Sequence, residues 1–259
     1  MRIALITQEE PFYLPPALDA LCRLRRDELG ALIILPSFNE SLPRTARRMY
    51  DFYGPRDFAR LCGRFLGARV FDRVNRLKPL TRPFSARDVA QRHRVPLHQP
   101  AKVNAPDFLE ILRHKIRPDL IVSIAASQVF GNTLLGIPRL GCINLHSAPL
   151  PRYQGMMPNF WTLLHQEPNA TVTVHYMAAQ LDAGDIILQR DVAILPEDSL
   201  HDLMVRSKHI GIQAVDEAIR LLAAGAAPRR PMDPALASYF TFPARADARR
   251  LRAQGRRLL

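Results

Sequence analysis

Short apolar runs alternate along this chain with longer segments in which apolar residues recur every three or four positions. Arg2–Thr7 (RIALIT), Ala31–Leu35 (ALIIL), Val95–His98, Leu120–Ala125 (LIVSIA), Gly141–His146 (GCINLH) and Val172–Met177 (VTVHYM) are of strand length. The first is apolar on both faces, as buried parallel strands are. Ile186–Val192 is expected to pair beside Val172–Met177 in the antiparallel sense. Helical patterns fill the gaps. Pro15 and Pro16 suit a helix start, and Gly30 suits its stop. Ser85–His93 and Asp107–Lys115 read as further helices. Ser199 and Asp202 have capping-box spacing before a long helix through Leu222, with Gly225 as its stop. Strands alternating with helices predict an α/β fold, a mostly parallel sheet with helices on both faces. Ligands in such sheets bind beyond the carboxyl ends of strands, near a switch in strand order.

One segment, at about residues 38–84, interrupts the alternation. Its Phe58, Leu61, Cys62 and Phe65, then Phe71, Val74 and Leu77, fall at helical spacing and predict amphipathic helices. Tyr50, Phe52 and Tyr53 are expected to pack rather than to stack on a base. Charge sharpens this picture. Of a net charge of +12, residues 44–87 hold twelve Lys/Arg against three Asp, and residues 226–259 hold eight Arg against two Asp. The basicity therefore sits in an insert and a tail. Focused basic surface attracts phosphates, nucleic acid or anionic lipid, although a solvated helical face accounts for the same residues. Residues 1–225 read as one domain carrying the insert, and 226–259 as a short basic extension.

Composition narrows the class. A chain of 259 residues with 47% hydrophobic content suits one large globular domain. No stretch approaches the roughly 20 apolar residues of a membrane span. The opening run is too short for a signal peptide, so a cytoplasmic location is expected. Cys22, Cys62 and Cys142 form no CxxC pair, which argues for a reducing compartment and against a cysteine zinc site. The absence of GxGxxG leaves NAD binding without support.

The chemistry-bearing residues cluster late. Asn144 and His146, two apart, share one face of a strand. The proline-rich stretch from Ser147 to Gly155 cannot continue that strand. Val172–Met177 leads into Leu181-Asp-Ala-Gly-Asp185, where Gly184 permits close backbone approach to a ligand. An amide, an imidazole and a carboxylate suit acyl transfer. The Asn144 N–H can bond an oxyanion, His146 can relay the amine proton, and Asp182 can orient the imidazole and stabilise its charged form. The Asn-x-His pair alone is a weak motif. His146, His175 and Asp182 also raise a metal reading, but their spacing makes no ligand cluster and no metal is expected.

The whole run Gly141–Gly155, with Val172-Thr-Val-His175 and Leu181-Asp-Ala-Gly-Asp-Ile186, closely resembles the folate-dependent formyltransferase family. Its members include glycinamide ribonucleotide, methionyl-tRNA and amino-sugar N-formyltransferases. The resemblance is strong over about residues 119–192, weaker in the first strand and the helix after Ser199, and absent from the insert at 38–84 and most of the tail. It implies a Rossmann-like formyltransferase fold and 10-formyltetrahydrofolate as co-substrate. It implies Asn144, His146 and Asp182 as the catalytic set. It places the pterin against the backbone around Ser127, Gln128, Val129 and Phe130 and the loop Ala178, Ala179, Gln180, Leu181, with Gly184 in that loop.

The chain departs from the pattern at Ala148, where the family has serine, and at Thr7-Gln-Glu-Glu-Pro-Phe-Tyr, which lacks a glycine-rich phosphate cradle. The second departure counts against glycinamide ribonucleotide. The short stretch after the last long helix sets the expectation against a tRNA-binding module, and no RNA-binding signature is found in the insert. The expected acceptor is a small-molecule amine such as a nucleotide-linked amino sugar, its phosphates held by arginines of the insert. A homodimer is compatible with this reading, and nucleic acid is not expected. The competing readings are a methionyl-tRNA formyltransferase-like enzyme, a hydrolase releasing formate from the same donor, and a non-enzymatic nucleic-acid or membrane-surface binder built on the basic insert.

Overall fold

In the computed structural model, which describes residues 1–37, 41–78 and 80–259, the apolar runs all enter one seven-stranded sheet. The strands are β1 (Ile3–Gln8), β2 (Leu29–Leu35), β3 (Leu97–His98), β4 (Leu120–Ile124), β5 (Cys142–His146), β7 (Asn169–Tyr176) and β8 (Ile186–Ala193). Between β5 and β7, β6 (Gln154–Gly155) pairs outside this sheet with β9 (Tyr239–Phe240). The sheet order is β3-β2-β1-β4-β5-β7-β8. The first five of these strands run parallel, β7 runs antiparallel to β5, and β8 runs antiparallel to β7, as expected for Ile186–Val192. The order reverses between β1 and β4, the switch that opens a crevice beyond the strand ends.

Alternation along β1 builds two apolar layers. Ile3 and Leu5 pack with α1 (Leu14–Leu24), α3 (Ala86–His93), α6 (Pro158–Leu164), α7 (Leu200–Ala223) and α8 (Arg245–Ala253). Ala4 and Ile6 pack with α4 (Pro106–Glu110), the π-helical turn Ile111–Ile116 and α5 (Asn132–Leu135) on the other face. The capping box of α7 forms: Ser199 Oγ accepts the Asp202 N–H at 3.2 Å, and Asp202 accepts the Ser199 N–H at 3.0 Å. Gly225 follows that helix with φ 66°.

Three expectations change. The first helix stops at Leu24, because Arg25 pairs with Asp216 of α7 at 2.6 Å and the chain turns back at Glu28. Gly30 lies inside β2. The helix expected over Asp107–Lys115 switches to π-helical bonding at Ile111 and ends with Arg117 N–H on Leu112 carbonyl oxygen at 2.8 Å. The insert forms two helical stretches, together α2 (Leu42–Leu77), which meet at Gly54, whose φ of 72° no α-helix accommodates, in keeping with the expected amphipathic helices. Its residues 38–40 and 79 lie outside the described residues. Phe52 and Tyr53 pack in the core, whereas Tyr50 stays largely exposed, edge-on to Phe58.

Residues 226–259 are stitched into the body. Ala248, Leu251 and Leu258 are buried in the same layer as α6 and α7. Gln154 and Met156 donate backbone bonds to Ser238 and Phe240, each at 2.8 Å. The Phe240 ring stacks on Trp161 at 4.7 Å and on Tyr153 at 5.4 Å.

Candidate active site

The site begins with register. Antiparallel pairing sets Asn144 of β5 opposite His175 of β7, and His146 opposite Thr173. Asn144 Nδ2 lies 3.2 Å from His175 Nε2. The His175 Nδ1–H donates to the Tyr176 carbonyl at 2.8 Å, so Nε2 is the acceptor for the amide. Burial pushes the His175 pKa down to about 4; the nearby His146 pushes the same way and the Asp182 carboxylate opposes. At neutral pH this imidazole is uncharged.

His146 is fixed from the turn that follows it. Its Nε2 donates to the Tyr153 carbonyl at 2.8 Å, which leaves Nδ1 facing Asp182 Oδ2 at 3.6 Å. The other carboxylate oxygen lies 3.7 Å from His175 Nε2. One buried carboxylate thus stands between two imidazoles, beside a carboxamide.

Asp182 is held in place by the proline turn. The loop after β7 folds back with Asp182 at φ 51°. Gln154 Nε2 donates to the Asp182 carbonyl at 2.9 Å, and the Gly155 N–H donates to Asp182 Oδ2 at 3.0 Å. Gly155 itself sits at φ 94°, a conformation that favours glycine. The turn is braced in its middle. Thr173 Oγ1 donates to the Ala148 carbonyl at 2.6 Å, and Gln189 Nε2 donates to the Leu150 carbonyl at 3.1 Å. Ala148 is fully buried and belongs to the apolar cluster that also holds Leu145, Phe160 and Val174.

Fold therefore brings Asn144, His146 and Asp182 together and adds His175. The pairing of His175 with Asn144 follows from the register of β5 against β7, which the sequence shows only as two separate runs. The Tyr153 carbonyl and the Gly155 N–H are backbone groups and carry no side-chain signal.

The remaining sequence candidates flank this centre. Ser127, Gln128, Val129 and Phe130 follow β4. Ser127 Oγ bonds the Pro36 carbonyl at 2.7 Å, and Gln128 bonds Ala101 and Val103 backbone at 3.0 and 2.8 Å. Those side chains serve the protein, and Phe130 is buried. Ala178, Ala179, Gln180 and Leu181 are exposed beside the buried Asp182. Both loops border one apolar layer, through Ala126 and Met177. At Gly184 a side chain would meet the Tyr176 carbonyl oxygen at 2.0 Å, so its close approach is to the chain's own backbone. Among the described residues, no group of His, Cys, Asp and Glu is arranged to hold a metal ion.

A family model described as formyl transferase matches residues 67–219. The chain belongs to the formyl transferase family. The match starts inside the segment that the sequence set apart as an insert, so the last part of α2 falls within the family's extent. A methionyl-tRNA formyltransferase of Syntrophus aciditrophicus (strain SB) is 45% identical over 150 residues, covering 58% of this chain and 48% of that protein. Another, from Geobacter sulfurreducens, is 38% identical over 157 residues, covering 61% of this chain and 49% of that one. The chain spans about half the length of the curated relatives it matches. Among solved structures, WlaRD, a sugar 3N-formyl transferase in the presence of dTDP and 5-N-formyl-THF, superposes with a TM-score of 0.61 at 16% identity, over 93% of this chain and 69% of that one. Glycinamide ribonucleotide transformylase 1 of Symbiobacterium toebii superposes with a TM-score of 0.59 at 21% identity, over 90% and 94%. At these identities the likeness is one of fold: the Rossmann-like formyltransferase fold with a mostly parallel sheet.

Proposed function

We propose that this member of the formyl transferase family moves a formyl group from 10-formyltetrahydrofolate to a primary amine. The observation that carries the reading is the convergence of an amide, two imidazoles and one carboxylate, with Asp182 3.6 and 3.7 Å from His146 and His175. The loops at Ser127–Phe130 and Ala178–Leu181 fit a flat pterin read through backbone groups, because the Ser127 and Gln128 side chains are spent on the protein and the second loop is exposed. The donor supplies a formyl carbon activated by its attachment to a ring-conjugated nitrogen.

The chain's own groups supply the rest. Asn144 donates an N–H to the formyl oxygen as it becomes an oxyanion. His146, through Nδ1, takes the proton that the attacking amine must lose and returns one to the departing nitrogen. Asp182 stabilises the imidazolium in between. His175, neutral and fixed, keeps the Asn144 amide turned for its task. Residues 1–225 carry the reaction in this reading, and residues 226–259 brace the turn that holds Asp182.

For the acceptor, the proposal is a phosphate-bearing amino sugar. A cleft of about 890 Å³ between the first part of α2 and the start of α8 is lined by Arg44, Arg47, Arg48 and Arg245 over Phe52 and Phe242, with one carboxylate, Asp51, paired to Arg47 at 3.4 Å. Guanidinium groups are suited to phosphate oxygens. WlaRD, which shares the fold, is a sugar 3N-formyl transferase solved in the presence of dTDP. The second reading, methionyl-tRNA as acceptor, is favoured by the curated relatives at 45 and 38% identity.

The test mixes the protein with 10-formyltetrahydrofolate and a panel of amino-sugar nucleotides, amino acids and charged tRNA, with mass spectrometry to find the formylated amine. Asn144→Ala, His146→Ala and Asp182→Ala are each expected to cut turnover by at least about a hundredfold. Near-normal turnover in all three folded variants would reject the mechanism. Formate released as fast without any amine would make the chain a hydrolase.

A further inference from the structure

The catalytic reading leaves the second half of α2, from Pro55 to Leu77, unused. Its inner face is pinned. Asn75 bonds Asp88, Asp72 bonds Ser85, and Asp57 pairs with Arg252 at 3.4 Å. The opposite face holds Leu66, Val70, Val74 and Leu77, spaced by four, four and three residues along one side of the helix. They are 64, 59, 40 and 89% exposed. An apolar stripe about 16 Å long thus points away from the body.

Basic residues border the stripe on both sides. On a helical projection Arg69 and Arg73 fall along one edge and Arg60 along the other, all three exposed, with Arg60 3.6 Å from Asp57 and Arg64 turned further round toward the body. Residues 55–78 carry seven Lys/Arg against two Asp; Asp72 accepts from Ser85, and Asp57 pairs with Arg252 at 3.4 Å and with Arg60 at 3.6 Å. Charge decides among occupants. A second copy would bring the arginine rows against each other. A nucleic acid would use the arginines and leave the apolar stripe in water. A surface with acyl chains under anionic headgroups matches both rows and stripe.

We propose that the outer face of α2 rests on an anionic lipid surface, with Leu66, Val70, Val74 and Leu77 entering the headgroup boundary and the flanking arginines on lipid phosphates. Among the described residues no helix is long and apolar enough to cross a membrane, so the association is peripheral. It is independent of the formyl-transfer reading.

The test is co-sedimentation of the full chain with vesicles of phosphatidylcholine alone or mixed with phosphatidylglycerol. Wild type is expected to partition at least about tenfold better onto the anionic vesicles, and less so in high salt. Leu66→Ser with Val70→Ser and Leu77→Ser is expected to lose about tenfold, with an unchanged melting curve because the positions are exposed. Arg69→Gln with Arg73→Gln reads the charge separately and is expected to lose about tenfold. Equal partitioning onto both vesicle types, or no loss in the serine variant, would overturn the proposal. So would a dimer in sedimentation velocity that the serine variant dissolves, since a second copy would then cover the stripe. Formyl transfer in vesicle-free buffer is expected to be unchanged in both variants.

Discussion

Asn144 and His175 face each other across antiparallel β5 and β7, the amide nitrogen 3.2 Å from the imidazole Nε2. The relationship is directional. His175 gives its Nδ1–H to Tyr176 at 2.8 Å and stays neutral, so it can only accept from Asn144. That fixes which way the amide points, and its second N–H remains for an oxyanion. In the proposed reaction His175 acts through its neighbour.

Asn144→Asp tests the direction. The substitution keeps the shape but puts an acceptor where a donor is needed, so kcat is expected to fall by at least about a hundredfold. His175→Ala is expected to lower kcat with KM nearly unchanged, because only the transition-state contact loosens. His175→Gln, which can still accept a hydrogen bond, is expected to recover part of the loss. Steady-state kinetics at saturating donor separate these. A loss confined to KM would remove His175 from this role.

Stability toward acid follows from the same side chain. The unfolded chain takes up a proton on His175 near its ordinary pKa of 6.5, whereas the folded chain resists until about 4. Between those values the unfolded state binds more protons, so stability falls as pH drops from about 6.5 to 4 and levels off below. His175→Gln is expected to flatten this part of a plot of melting temperature against pH. An unchanged slope in the variant would assign the acid sensitivity to other groups.

Gly184 marks a packing limit in the loop that carries Asp182. A methyl group there would lie 2.0 Å from the Tyr176 carbonyl oxygen and 2.8 Å from its carbon, both backbone atoms that cannot swing away. Gly184→Ala is expected to cost about 1–3 kcal/mol, the usual range for overpacking. Asp182 moves with the loop, so turnover is expected to fall further than at a surface control. Thermal unfolding and kinetics on the same variant check both.

The sheet was legible because its strands are short apolar runs and its helices have periodic stripes; even the antiparallel β8 could be read from Ile186–Val192. Asn144, His146 and Asp182 stood out as side chains. Their holders did not, because the Tyr153 carbonyl and the Gly155 N–H look like any other backbone. Gly30 misled as a helix stop, since the turn at Arg25 depends on a partner, Asp216, that lies far along the chain. The helices of the insert were legible from the spacing of Phe58, Leu61, Cys62 and Phe65, and the kink at Gly54 lies just before that run.

The tail gives the last prediction. Neither Asn144, His146, His175 nor Asp182 lies beyond residue 225, yet the turn that orients two of them leans on the tail. β9 pairs with β6, whose Gly155 holds Asp182 through a 3.0 Å bond. Phe240 closes the aromatic stack on Trp161 and Tyr153, and Tyr153 supplies the carbonyl that fixes His146. Removing residues 226–259 would also expose the core faces under Leu251 and Leu258. The truncated chain is expected to melt well below the full chain, to bind a hydrophobic dye, and to lose turnover. Phe240→Pro in the full chain isolates the site effect, because it removes both the ring stacked on Trp161 and Tyr153 and the N–H that parallel pairing with β6 uses, while α8 and Leu258 lie outside β9. That variant is expected to lose at least about tenfold in kcat, the scale on which a loosened catalytic group is felt. Full turnover in the variant, with β9 unpaired, would show that β6 holds Asp182 without help from the tail.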